Sequence, residues 1–175
     1  MVTAEVVQER LRLLSEYVED LKAEQGITFA QYQDDKKTRR YVEHTIQVAI
    51  ESCLDIGHHI IAAKHLPLPA ERRDIFKTLS DADIIPIELV PTLQKMVGFR
   101  NRMVHEYEKV ENEFVYGILK KNIGDFTVFG QAILKFLDRE AKVGDITAPD
   151  DATGKTLRER RATYTARRKH KSGSK

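Results

Sequence analysis

An all-α fold is predicted for this 175-residue chain by two observations: apolar residues recur at three- and four-residue intervals over most of its length, and strand signals are almost absent. Val7, Leu11, Leu14, Val18 and Leu21 form one stripe of a first amphipathic helix that Gly26 ends. A second, longer stretch from about Phe29 to Lys64 places Val42, Ile46, Ala49, Cys53, Ile56, Ile60 and Ala63 on one stripe, and Ile50, Leu54 and Ile61 widen it. So wide a face implies more than one packing neighbour. At ~1.5 Å per residue this stretch would reach roughly 50 Å, longer than an ordinary globular helix, so a break or kink is expected within it. Pro67 and Pro69 stop it.

A short helix is expected over Glu71 to Leu79, closed by Ser80, Asp81 and Asp83. Pro86 suits a first turn, but Pro91 would then cost an interior hydrogen bond, so the next helix is expected to begin near Val90 and to run to about Val104. Asn112 caps a last long helix carrying Val115, Leu119, Phe126, Phe129, Ile133 and Phe136, which Gly117, Gly124 and Gly130 weaken slightly. No Asn-Gly or Asp-Gly turn and no sustained apolar/polar alternation interrupts this order. The expected architecture is an antiparallel helical bundle of four to five helices over residues 1–143. Gly144, Pro149, Asp150, Asp151 and Gly154 read as a linker opening a basic, flexible tail, 144–175.

With 41% hydrophobic residues the chain can close one core without disulfides. The single cysteine, Cys53, staples nothing within the chain and reads as a small buried hydrophobe in a reducing compartment, giving a cytoplasmic address. No run approaches the ~18 apolar residues of a membrane span. The net charge of +2 hides an asymmetry: residues 151–175 hold nine Lys and Arg against two acids, and the rest holds twenty against twenty-five. Such a tail is either a polyanion contact or a solvated charge run; composition does not separate the two.

The stretch that carries chemistry runs from Gly98 to Tyr107. Here Arg100 and His105 sit five residues apart near the end of an otherwise apolar helix, and Tyr107 follows at once. At ~100° per residue Arg100 and Tyr107 share nearly one face, and Asn101 lies one turn below His105. Each type suits work on a phosphodiester. Arginine offers a fixed fork of donors to phosphate oxygens, and histidine, titrating near neutrality, exchanges protons with a ribose 2′-hydroxyl or a leaving oxygen. Asn101 can fix the imidazole or bind substrate, and Tyr107 can stack or donate a hydrogen bond. RNA supplies its own nucleophile, so no metal or other cofactor is required. On spacing alone the plainer reading is stronger: cations gathered at a helix C-terminus, beside the macrodipole.

The string Met96 to Val110, with Arg, four residues, His, one residue and Tyr in that order, resembles the signature of HepT-like HEPN toxins. Arg40 to Ile61 is similar to that family's long second helix, and Ile118 to Leu137 to its last. The resemblance spans about residues 1–142. It implies a HEPN bundle that forms a homodimer and brings two copies of the motif to one cleft, and a metal-independent ribonuclease with Arg100 and His105 in the catalytic positions and Asn101 supporting. It also implies pairing with an MNT-type nucleotidyltransferase antitoxin that attaches AMP to Tyr107. A catalytically inactive HEPN module that only binds nucleotide or its partner is the alternative.

Other polar groups are weaker candidates. His58 and His59 point ~100° apart, with Asp55 one turn before them as the single carboxylate at helical spacing and no further histidine there, which does not favour a zinc site. His44 and His65 read as surface or rim residues. Glu51 and Asp55 lie one turn apart on the long helix, and the solvated reading is preferred over a hydrogen bond to the motif across the bundle.

Overall fold

The computed structural model describes residues 4–105 and 112–147, with side chains over 4–102 and 112–142. Among these residues the chain is all-helical, with no strand. Seven α-helices occur in order: α1 (Ala4–Glu24), α2 (Phe29–Asp34), α3 (Lys36–Ala63), α4 (Ile75–Asp81), α5 (Val90–His105), α6 (Asn112–Lys121) and α7 (Ile123–Thr147). Short 3₁₀ turns, Arg72–Asp74 and Ile87–Leu89, lead into α4 and α5. No helix among the described residues is long and apolar enough to cross a membrane.

The count exceeds the expected four or five because two segments are each divided. The long second segment breaks at Asp35, whose backbone is extended (φ −87°, ψ 90°) and whose carboxylate accepts from Lys37 N (2.9 Å), Thr38 N (3.1 Å) and Thr38 Oγ1 (2.7 Å). It thus takes over amides left unpaired at the start of α3. The Thr38 hydroxyl, with the two amides, holds the Asp35 carboxyl below its usual range. Just upstream, Thr28 and Gln31 form a capping box that starts α2. The expected last helix divides at Asn122, not at a glycine: Asn122 closes α6 by its N–H to Ile118 O (2.9 Å), and its Nδ2 donates to Asp125 (3.0 Å) in the first turn of α7. The expected helix from Glu71 is later and shorter, with the 3₁₀ turn taking its first residues.

The apolar stripes are where periodicity puts them. Val7, Leu11, Leu14, Val18 and Leu21 of α1 are buried, and α1 packs along α3, whose Val42, Ile46, Ala49, Ile50, Cys53, Leu54, Ile56, Ile60 and Ile61 are buried as well. Cys53 is fully enclosed, and burial pushes its thiol well above the ordinary value. Of the predicted stripe only Ala63 is half-open. The α3 helix ends with a left-handed His65 (φ 52°) and a Leu66 N to Ile61 O bond (3.0 Å), so it has closed before the two prolines are reached.

Close contacts set how α4 and α6 join the bundle. Gly57 lets α4 approach closely, since a Cβ there would overlap Ile75 Cγ2 and crowd Leu79 Cδ1 at 3.3 Å. The turn after α1 is tied to α6: Gln25 Nε2 donates to Leu119 O (2.9 Å), Lys120 Nζ to Gln25 O, and Tyr116 Oη to Ile27 O (3.0 Å). The Tyr116 ring packs on Phe29 and Tyr32.

Compact packing divides the chain into Met1–Leu134 and Lys135–Lys175. The first unit holds α1 to α6 and the beginning of α7; of the second, only the remainder of α7 is described. The linker expected from Gly144 differs in its start, because α7 continues through Gly144 to Thr147. Residues 148–175, with most of the predicted tail, lie outside the described residues.

Gly57→Ala should destabilise the fold. Helix propensity gains about 1 kcal/mol, but the overlap with Ile75 costs about 1–3 kcal/mol. A lower urea midpoint is expected, and the loss caused by Gly57→Ala should be smaller in an Ile75→Ala background than in the unsubstituted chain; an unchanged or higher midpoint in the single variant would show that α4 yields freely.

Candidate functional site

The motif lies at the C-terminal end of α5. Apolar Leu93, Met96, Val97 and Phe99 are buried and fix the rotation of this helix. That rotation turns Arg100 inward toward α3 and leaves Asn101 and Arg102 exposed.

Arg100 is met there by Glu51. Its Nε is ion-paired with Glu51 Oε1; both atoms are buried, neither makes a hydrogen bond among the described residues, and the side chains are only 19% and 26% exposed. A guanidinium and a carboxylate so far withdrawn from water require each other's charge. The Arg100 Nη1 also donates to Asn101 Oδ1 (3.2 Å). The bond to Asn101 uses one of the five N–H donors of a guanidinium and the ion pair turns the Nε edge toward Glu51, so the Nη donors that Asn101 leaves open are the ones available to a bound anion. Arg100 is thereby held on two sides, and the rest of its fork is the part able to grip a phosphate.

The carboxylate has a second cation. Arg72, from the 3₁₀ turn before α4, donates from Nη2 to Glu51 Oε2 at 3.0 Å and is 40% exposed. One turn along α3, Asp55 pairs with Arg10 of α1 at 3.4 Å, both side chains substantially exposed. The preference for a solvated Glu51 is therefore overturned, since Glu51 binds the motif across the bundle. Asp55 remains half-exposed and does not contact it.

Around the opposite side of α5, Phe114 of α6 packs on Phe99 (centroids 5.3 Å apart), and the Arg102 guanidinium lies 5.6 Å from the Phe114 ring centroid. This contact joins the last turns of α5 to the first turn of α6. A cleft of ≈ 320 Å³ opens between these helices, lined among others by Thr92, Lys95, Phe114, Gly117 and Lys121.

Of the predicted site residues, the structure brings Arg100 and Asn101 together. His105 is the last residue of α5, about 140° around the axis from Arg100, while its side chain, and Tyr107 altogether, lie outside the described residues. His58 and His59 are exposed on α3, as His44 is, and His65 is exposed after its end; no cluster of three or more His, Cys, Asp or Glu able to hold a metal occurs among the described residues. Sequence reasoning missed Arg72. Its partner is 21 positions away on a different element, and no periodicity links them.

The described residues thus form an all-helical domain with an Arg–Asn pair at the end of one helix, braced from a long neighbouring helix. Residues 8–133 match the family model described as ribonuclease HepT-like. The chain belongs to that family. It is 32% identical over 100 residues to an mRNA nuclease HepT of Shewanella oneidensis, covering 57% of this chain and 75% of that one. It is 23% identical over 132 residues to a tRNA nuclease HepT of Aphanizomenon flos-aquae, covering 75% and 90%. Its fold is similar to that of a tri-AMPylated Shewanella oneidensis HEPN toxin solved in complex with MNT antitoxin, with a TM-score of 0.69 at 26% identity over 74% of this chain and 97% of that one.

Proposed function

We propose that this chain is the toxin of a toxin–antitoxin pair, a cytoplasmic, metal-independent RNA endonuclease that works as a homodimer and is neutralised by an MNT-type nucleotidyltransferase. The observation that carries this reading is the braced Arg100: a guanidinium fixed by Glu51 and Asn101 at the surface end of α5, inside the segment that matches the HepT-like ribonucleases.

The chemistry follows from the residue types. The ribose 2′-oxygen attacks the adjacent phosphorus, and the bond from phosphorus to the 5′-oxygen breaks, leaving a 2′,3′-cyclic phosphate and a free 5′-hydroxyl. One proton leaves the 2′-hydroxyl and one arrives at the 5′-oxygen. His105 serves these transfers, and in a two-fold cleft the two copies divide them. Arg100 faces the charge that builds on the phosphoryl oxygens, where a donor already in place is worth most because nothing reorganises at the moment of reaction. Asn101 keeps the Arg100 fork oriented. In such a cleft the 140° between Arg100 and His105 on one helix is bridged by the second copy.

Control falls on Tyr107. The phenol oxygen attacks the α-phosphorus of ATP, pyrophosphate leaves, and the tyrosine carries AMP. The added phosphate brings negative charge and bulk to a place built to receive a phosphate. The solved relative bound to its MNT antitoxin and AMPylated supports this partner and this modification. The tail, nine cations against two acids over 151–175, is assigned to RNA contact.

In EDTA the unsubstituted chain should cut RNA and His105→Ala should lose about 10²–10⁴-fold in rate; inactivity of both would instead favour a binding module without catalysis. Tyr107→Phe should remain toxic beside an active MNT partner and gain no AMP by mass spectrometry. Growth restored together with an AMP adduct elsewhere would move the control point. Removing residues 148–175 should leave the melting temperature in place and flatten the salt dependence of RNA binding. An unaltered slope would show the tail to be a solvated charge run.

A further inference from the structure

Resting on the RNA-cleaving reading, the geometry points to Arg72 as a second RNA-phosphate-binding residue of the same site, held beside Arg100 by the two oxygens of one carboxylate, Glu51. Arg100 Nε is ion-paired with Oε1 and Arg72 Nη2 donates to Oε2 at 3.0 Å, so one carboxylate bridges the two guanidinium groups. The cluster carries one positive charge more than it neutralises. That excess is placed unevenly, since Arg100 is 19% exposed and Arg72 40% exposed. The first is gripped and the second reaches outward.

A purely structural role does not account for Arg72. The 3₁₀ turn that bears it is already fixed: Glu71 N donates to Asp74 Oδ2 at 3.3 Å, and the following Ile75 packs into the space that Gly57 leaves on α3. An ion pair as open as that between Arg72 and Glu51 adds little to stability. Nor does Glu51 need a second cation to be neutralised, because Arg100 alone matches its charge. A second guanidinium on that carboxylate instead fits a ligand that is itself a chain of anions, in which the phosphate next to the scissile one requires its own counter-charge. Glu51 is then a positioning residue that sets the spacing of the two arginines, and Arg72 extends the site along the strand toward α4.

The test compares Arg72→Ala with Arg12→Ala, which removes the same charge from α1, where Arg12 is paired with Glu9 and Glu16. A single-stranded RNA oligonucleotide is bound to the full chain over a salt series, in a His105→Ala background so that it is not cut. Cleavage is measured separately with His105 present. Arg72→Ala should raise Kd roughly three- to tenfold and lower the salt slope by about 0.7, with Arg72→Lys keeping most of the slope. Its KM should rise by a larger factor than kcat falls, and Arg12→Ala should match the parent in both assays. Equal Kd and slope for Arg72→Ala and Arg12→Ala would overturn the proposal, as would a fall in kcat with KM unchanged. If the unsubstituted chain cuts no RNA, the parent reading fails, and this proposal with it; if it cuts RNA while Arg72→Ala binds as tightly, only Arg72 is misassigned.

Discussion

The site depends on one half-buried carboxylate. Glu51 stands on the middle of α3 among Ile50, Cys53 and Leu54, with about a quarter of its side chain open to water. A charge that far into the bundle is tolerated only when cations reach it, and they arrive from two elements, Arg100 from α5 and Arg72 from the turn before α4. The interaction orders more than it stabilises. It decides which edge of Arg100 is spent inside the protein and which is left for a ligand.

For Glu51 to meet both arginines, α3 must start in the right register, and α4 and α5 must lie close to it. Asp35 sets the register by capping α3 and separating it from α2. Without that break the expected stretch would continue as one rod from Phe29. Gly57, six residues beyond Glu51, admits α4 to near contact, and the turn before α4, which itself packs on α5, then carries Arg72 within reach of Glu51. The rotation of α5 is fixed from within by Leu93, Met96, Val97 and Phe99, which are all buried, so Arg100 points to α3 for reasons of packing before charge enters. A small residue, a cap and an apolar stripe thus precede the ion pair and make its geometry possible.

Much of this was legible in the residues. The stripes of α1, α3 and the last two helices are local and periodic, so burial followed them almost position by position. The start of α5 near Val90 was readable because proline has few places in a helix. The breaks were less legible, although their signals were present: Thr28 with Gln31 and Asp35 with Thr38 are capping pairs in sequence, but a continuing apolar period across them outweighed a polar side chain that only the folded backbone shows to be capping. Asn122 was harder still, since neighbouring glycines offered a more obvious place for a break. Glu51 was out of reach. Its neighbours in sequence say only that it lies at the edge of an apolar face, and whether an edge residue meets solvent or a guanidinium is settled by an element 21 or 49 positions away.

Asn101 joins the braced side of α5 to its reactive side. It stands about 100° from Arg100 and about 40° from His105 around the helix axis, so it lies between them, and its Oδ1 already accepts from Arg100 Nη1 at 3.2 Å. A side chain in that place transmits the orientation imposed by Glu51 toward the face that bears His105. In the proposed dimer that exposed face is where a second copy contributes, because one α5 cannot aim both groups at a single phosphate. The same constraint bears on the proposed control at Tyr107. In the proposed mechanism a phosphate carried by Tyr107, two residues beyond His105, would compete with RNA for the Arg100 donors that Glu51 and Asn101 leave open, at the high effective concentration of a tethered group. AMP on Tyr107 would therefore act as a built-in occupant of the phosphate position as well as an obstruction, and the brace that prepares Arg100 for RNA would prepare it equally for its own inhibitor.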